Sequence, residues 1–359
     1  MALSSSFIPR MLNEATEARA SDIHIEPSKE QLRIRFRIDG QLQAYRHLPM
    51  ADSAALLSQL KIMAEMDIGE RRLPQDGSFS REKIEIRAAT IPTVYGEKIV
   101  LRLLQPQTPF SDVKELGMKD QQLMQVRRWI KQPHGLLLVT GPTGSGKTTT
   151  LYTMLRELNT VAHNIVTLED PVEIKMHGIN QVQIHEKAGL TFARGLRAIL
   201  RQDPDVIMIG EVRDQETMEI AVRAALTGHL VMTSLHTSDA ASAITRLLDM
   251  GMPPYLVASS VTGVIAQRLV RRVCSHCEGA IPTCSACAGS GYKGRIAAFE
   301  VLSVDEELQE LIVTCPSANQ IRHHVRQRGM VFLREHLTSL MHRGKTSLLE
   351  LQRVVTVDV

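Results

Sequence analysis

The chain has 359 residues, enough for two or three domains, and its 43% hydrophobic content supplies an ample core for globular folding. A net charge of +3 gives no global electrostatic footprint for nucleic acid, so no direct nucleic-acid contact is expected. The start lacks the apolar core of a signal peptide, and no run of about 18 apolar residues follows, which leaves the cytoplasm as the expected compartment.

Residues 7–20 carry Ala and Leu at helical spacing. Leu32, Ile34, Phe36 and Ile38 then alternate with Arg33, Arg35, Arg37 and Asp39, the pattern of a strand with one buried and one cationic face. It ends in a turn at Asp39-Gly40. A helix around 52–66 and strands at 84–88 and 98–104 complete a small α+β domain over 1–105. Pro106, Pro109 and their polar neighbours mark a linker at 106–114.

From about 115 the pattern becomes βα alternation, with strands expected at 136–140, 164–168, 206–210 and 230–235. The first strand runs into Gly141-Pro142-Thr143-Gly144-Ser145-Gly146-Lys147-Thr148-Thr149, a complete phosphate-binding loop. Its glycines let backbone N–H groups turn around phosphate oxygens, and the helix that follows adds its positive N-terminal end. Lys147 can reach the β and γ phosphates of ATP, and Thr148 can give its hydroxyl to Mg²⁺.

Three further strand boundaries carry polar groups. Glu169 and Asp170 close the strand at 164–168, with Glu173 just beyond. Glu211 closes the strand at 206–210, with Gly210 where many such ATPases carry aspartate; it can polarise an attacking water. His229 and His236 flank the strand at 230–235 and are candidate phosphate sensors.

Cys274, Cys277, Cys284 and Cys287 form two Cys-x-x-Cys pairs separated by six residues, the spacing of a closed structural Zn²⁺ site. His276 lies inside the first pair, though four thiolates suffice. Use of such a ribbon on nucleic acid is the alternative, with Arg268, Arg271 and Arg272 nearby and no basic–aromatic surface around it. A helical tail is expected through 304–355.

The ordered series resembles the secretion-superfamily ATPases of type II secretion and type IV pilus assembly across nearly the whole chain. Residues 20–27, 35–40, 69–77 and 95–98 resemble that family's second N-terminal domain. Residues 141–148 match its Walker A, 164–173 its Asp box, 203–214 its Walker B and 227–237 its His box. The branch most resembled is the assembly ATPase of the Gram-positive competence pilus, used for DNA uptake. The chain begins directly at the second domain, carries the cysteine quartet that retraction ATPases lack, and ends on an assembly-type segment at 344–354.

The resemblance implies an α/β fold: a small PAS-like α+β domain over 1–105, then a RecA-like ATPase core over 115–270. A tetracysteine segment over 271–297 and a helical C-terminal region over 298–359 follow. It further implies a Mg²⁺-dependent homo-hexamer, associated with the membrane through an inner-membrane platform protein, with ATP between the two domains. Lys147, Glu169, Glu211, His229 and Arg35 are the expected catalytic groups, Arg35 reaching the terminal phosphate. The relatives' second such arginine falls at Met50 here, leaving Arg194, Arg197 and Arg201 as other candidates. Type II secretion and an adhesive pilus are the nearest alternatives. A DNA-stimulated translocase and an ATP-binding regulator lie further off.

Overall fold

The computed structural model describes residues 6–82, 84–104 and 110–355. The chain divides into two compact units, with the boundary between 107 and 108. The expected linker at 106–114 lies partly outside the described residues; within it, Val113–Leu116 form a 3₁₀ turn of the second unit.

In the first unit, helix α1 (Phe7–Glu17) buries Phe7, Ile8, Met11, Leu12 and Ala15 along one stripe. It ends earlier than expected because Arg19 takes a left-handed conformation (φ 55°) and β1 begins at Ala20. Strands β1 (Ala20–Pro27), β2 (Gln31–Ile38) and β3 (Gln41–Pro49) form a meander, and helix α2 (Ser53–Met63) follows. Strands β4 (Gln75–Arg81), β5 (Ile84–Thr93) and β6 (Gly96–Leu104) complete a six-stranded antiparallel sheet in the order β3-β2-β1-β6-β5-β4. As its alternation requires, β2 buries Leu32, Ile34 and Phe36 and turns Arg33, Arg35 and Arg37 to the other face. There the carboxylates of β1 collect the cations: Glu26 pairs with Arg33, Arg35 and Lys98, and Asp22 with Arg37 and Arg102.

The second unit is a seven-stranded sheet in the order β13-β12-β7-β11-β10-β8-β9. Helix α3 (Asp120–Ile130) leads into β7 (Gly135–Thr140), followed by α4 (Lys147–Leu158), β8 (Ile165–Glu169) and β9 (Asn180–Gln183). Next come α5 (Phe192–Ile199), β10 (Val206–Ile209), α6 (Gln215–Leu226), β11 (Leu230–Leu235), α7 (Ala240–Asp249) and α8 (Pro254–Ser260). The last sheet elements are β12 (Val261–Val273) and β13 (Tyr292–Ser303), then α9 (Glu306–Val313), α10 (Ala318–Gln327), α11 (Leu333–His342) and α12 (Leu348–Val355). The central strands are parallel and buried on both faces. Leu136 and Leu138 of β7 join one core with α5 to α12, while Leu137 and Val139 join the other with α3 and α4.

The long β12–β13 hairpin is absent from the sequence-based reading, and residues 298–303, assigned there to the helical C-terminal region, are the end of β13. Runs such as Ala297 to Leu302, apolar except for the buried Glu300, lack period-two alternation because both faces are covered, and such runs do not separate strand from helix. Pairing between β7 and β12 stops at Thr140–Ala266, yet β12 runs on to Val273. This overhang is held by β13 and by α12, whose buried Glu350 binds Arg271 and Arg353. Among the described residues no helix is long and apolar enough to cross a membrane.

The first unit also contains a buried ion pair, Lys61 Nζ to Glu97 at 2.6 Å, with side chains 2% and 7% exposed. Removing one partner strands the other charge in a low-dielectric interior. Glu97→Ala should therefore destabilise the first unit by about 3–5 kcal/mol, read from chemical denaturation. An unchanged midpoint would show that the pair is not buried in solution.

Candidate functional site

Four strand ends of the second unit open on one cleft of about 460 Å³. Its floor is the loop between β7 and α4 together with the first turn of α4, from Thr143 to Thr149. The loop glycines adopt left-handed conformations, φ 151° at Gly141, 77° at Gly144 and 90° at Gly146. Two of them are also forced by contact. A Cβ on Gly141 would lie 2.5 Å from the Gln267 carbonyl oxygen, and one on Gly146 would lie 2.7 Å from Gln267 Nε2. Gln267 belongs to β12, is buried, and accepts the Thr150 hydroxyl at 2.6 Å. The overhang of β12 thus fixes the loop from the side.

Lys147 folds back over the loop, donating to the carbonyls of Gly141 (2.8 Å) and Pro142 (3.2 Å). Burial pushes its ammonium down to about 8; Glu211 opposes the shift and Arg268 adds to it. A phosphate chain seated on the loop would relieve both the desolvation and the repulsion.

Glu211 leaves β10 and faces the same cleft. One of its oxygens accepts from the Arg213 guanidinium, and the other lies 3.3 Å from His236 Nε2. Ser234 locks this exit by donating to the Gly210 carbonyl at 2.7 Å. Gly210 itself lies against Glu169 of the adjacent strand, so the neighbouring strand supplies a carboxylate where the glycine has none. Glu169 is 3% exposed and bound by Tyr152, Thr167 and Gln181, with Asp170 and Glu173 beyond it at the rim.

Lys147, Thr148, Glu169, Asp170, Glu173, Glu211 and His236 therefore converge. His229 does not. It precedes β11, at the opposite end of the strand, about 20 Å from His236 at strand rise, and its ring bonds the Ala224 carbonyl. Arg194, Arg197 and Arg201 are also outside the cleft: Arg194 donates to Gly189, Arg197 pairs with Glu216, and Arg201 donates to the Arg197 carbonyl. Arg35 lies in the first unit, where Glu26 holds it bidentately at 2.9 and 3.0 Å.

Sequence reasoning missed Arg213, Ser234, Leu269 and Arg295 in the cleft wall. Arg213 could have been suspected from its spacing two residues beyond Glu211. Leu269 and Arg295 could not, because the hairpin that brings them there was not recognised.

The hairpin is closed by the cysteines. All four are buried, with sulfurs within 4.8 Å of one another. Each Cys-x-x-Cys pair is followed by a left-handed turn, at 278–279 and 288–289, which aims the thiols at a common centre. Tetrahedral zinc with Zn–S bonds near 2.3 Å sets sulfurs about 3.8 Å apart; Cys277 and Cys287 are at 3.7 Å. Burial works against ionisation at Cys287, but hydrogen bonding from Gly291 and the neighbouring thiols brings its thiol down to about 7. The donor set is consistent with structural Zn²⁺.

A model of the family described as "Type II/IV secretion system protein" matches residues 2–353. The type II secretion system protein HxcR of Pseudomonas aeruginosa is 48% identical over 97% of this chain and 76% of its own length. The type II secretion system ATPase E of Vibrio cholerae is 45% identical over 97% of this chain and 74% of its own. The type IV pilus assembly ATPase PilB of Thermus thermophilus is 44% identical over 96% of this chain, but over only 42% of its own. Among solved structures, the pilus retraction motor PilT with bound ADP aligns at a TM-score of 0.68 and 29% identity, covering 97% of this chain and 96% of that one. The Legionella pneumophila ATPase DotB aligns at 0.76 and 24% identity, covering 99% and 97%, a likeness of fold.

Two measurements address the site directly. Bound phosphates favour charged Lys147, so ADP binding takes up a proton once the free lysine is neutral. ADP affinity should hold below pH 8 and fall by up to about tenfold per unit above it; a flat profile through pH 9 would contradict this placement of Lys147. Metal analysis of the purified chain should give about one zinc per chain, strongly reduced by Cys284→Ser. Equal zinc in both proteins would separate the cluster from the metal.

Proposed function

Because the chain belongs to the family of type II/IV secretion system proteins, we propose that it is the ATP-hydrolysing motor of a type II secretion system or of type IV pilus assembly. The observation that carries this reading is the convergence of Lys147, Thr148, Glu169, Glu211 and His236 on one cleft. Mg-ATP lies with its phosphates on residues 143–149, and Lys147 exchanges its two loop carbonyls for the β and γ phosphate oxygens. Thr148 would hold Mg²⁺ through its hydroxyl, and Glu169 and Asp170, which line the same cleft, would support the ion. Glu211 orients and deprotonates the attacking water, and Arg213 and His236 hold that carboxylate in place.

A loose phosphoryl transition state needs cations beyond Lys147. Arg213 lines the cleft and is one such cation; Arg35 is a candidate on the motif resemblance alone. The motor works as a homo-hexamer at the cytoplasmic face of the membrane, pushing on an inner-membrane platform protein to add or extrude pilin-like subunits. The resemblance of the ordered motifs to that family supports this arrangement.

The competence pilus is a narrower version of the same reading. The named roles of HxcR, ATPase E and PilB are type II secretion and type IV pilus assembly, which supports the broader form.

Lys147→Ala should abolish ATP turnover. Glu211→Gln should bind ATP normally and hydrolyse it about 10²–10⁴-fold more slowly, measured by single-turnover kinetics. Wild-type rates for Glu211→Gln would remove Glu211 from this role.

A further inference from the structure

Tyr152 is among the largest fully buried side chains of the protein, at 0% exposure, and none of the chemistry above uses it. It sits on α4, four positions after Thr148, with its ring in the core between α4 and the sheet. Its hydroxyl makes contacts that an ordinary core phenol does not need. The O–H donates to Glu169 Oε2. The same oxygen accepts from the backbone N–H groups of Glu173 (3.2 Å) and Ile174 (3.4 Å). One atom thus joins the helix of the phosphate-binding loop, the carboxylate closing β8, and the rim loop that carries Asp170 and Glu173.

The other Glu169 oxygen is equally constrained. Oε1 accepts from Thr167 Oγ1 at 2.5 Å and from Gln181 Nε2 at 3.1 Å. Gln181 also braces the rim loop, donating to the Ile174 carbonyl at 2.9 Å and accepting from Met176 N at 2.6 Å. Three side-chain donors fall on the two oxygens, which leaves this carboxylate about one free acceptor site. Glu169 also lines the cleft.

We infer that Tyr152 is a positioning residue for ATP hydrolysis: its hydroxyl sets Glu169 and the 170–174 loop so that they receive the water shell of Mg²⁺. The inference rests on reading the cleft as the Mg-ATP site. Burial, together with the hydrogen bond to Glu169, raises the phenol's pKa, so Tyr152 remains a donor at every pH the protein meets. The side chain touches no phosphate position. Its effect passes through a cation's outer shell, where losing such a support costs about 10–100-fold in metal affinity or activity.

Tyr152→Phe removes only the hydroxyl. In the purified full chain it should raise the Mg²⁺ concentration for half-maximal ATPase rate by about 10–100-fold or lower the rate at saturation by a similar factor. Its affinity for ADP in EDTA should stay within about twofold of wild type, because that binding does not pass through Mg²⁺. Gln181→Leu releases Oε1 instead and should shift the Mg²⁺ dependence in the same direction, which keeps the inference testable if Tyr152→Phe folds poorly. An active wild type, with both the Mg²⁺ dependence and the saturated rate unchanged in both variants, overturns this inference alone. An equal loss of ADP affinity in EDTA also overturns it, by making Tyr152 a general support of the loop. A wild-type chain without ATPase activity overturns the functional reading, and this one with it.

Discussion

A Cβ on Gly141 would strike the Gln267 backbone and one on Gly146 its side-chain amide, and that close approach ties the phosphate-binding loop to β12. A phosphate-binding loop anchored only to its own strand and helix would still hold phosphate. Anchored also to β12, it is tied to an antiparallel hairpin that overhangs the sheet, and through it to α12 and the cysteine cluster. The positions of Leu269 and Arg295 at the cleft follow from the same overhang. The segment joining β12 and β13 carries the four sulfurs, so a metal bound there would stiffen an element that walls the cleft.

Around the loop, the cleft separates fixed groups from movable ones. Glu169 and Tyr152 are buried, and with the half-buried Gln181 they are hydrogen-bonded to one another, so their geometry is set by the fold. Glu211, Arg213 and His236 are more exposed and are linked to one another at the cleft edge. Lys147 is stored against backbone carbonyls that phosphate would replace. That division suits a motor: the rigid part binds the nucleotide and its cation, while the exposed part can respond to the presence or loss of the terminal phosphate.

Much of this was legible in the sequence because its signals are local. The Gly-x-x-x-x-Gly-Lys-Thr run, the alternating Leu32–Ile38 strand and the doubled Cys-x-x-Cys each fix a conformation through neighbouring residues. What was not legible depends on packing from afar. The β12–β13 hairpin is buried on both sides and loses its alternation, and Tyr152 reads as one more apolar residue until Glu169 is brought beside it. The exchange of His229 for His236 is different. Ligand sites of parallel sheets lie at the carboxyl ends of strands. His229 precedes its strand and His236 follows it, so the direction of the chain already distinguished them.

The central claim is that one cleft at the carboxyl ends of β7, β8, β10 and β11 holds Mg-ATP for hydrolysis. A crystal structure of the protein with a non-hydrolysable ATP analogue and Mg²⁺ tests it most directly. The account predicts the triphosphate along residues 143–149, Lys147 withdrawn from the Gly141 and Pro142 carbonyls onto the β and γ oxygens, and Glu211 facing a water in line with the γ phosphate. A nucleotide bound elsewhere, or one seated here with Lys147 still on the loop carbonyls, would contradict it.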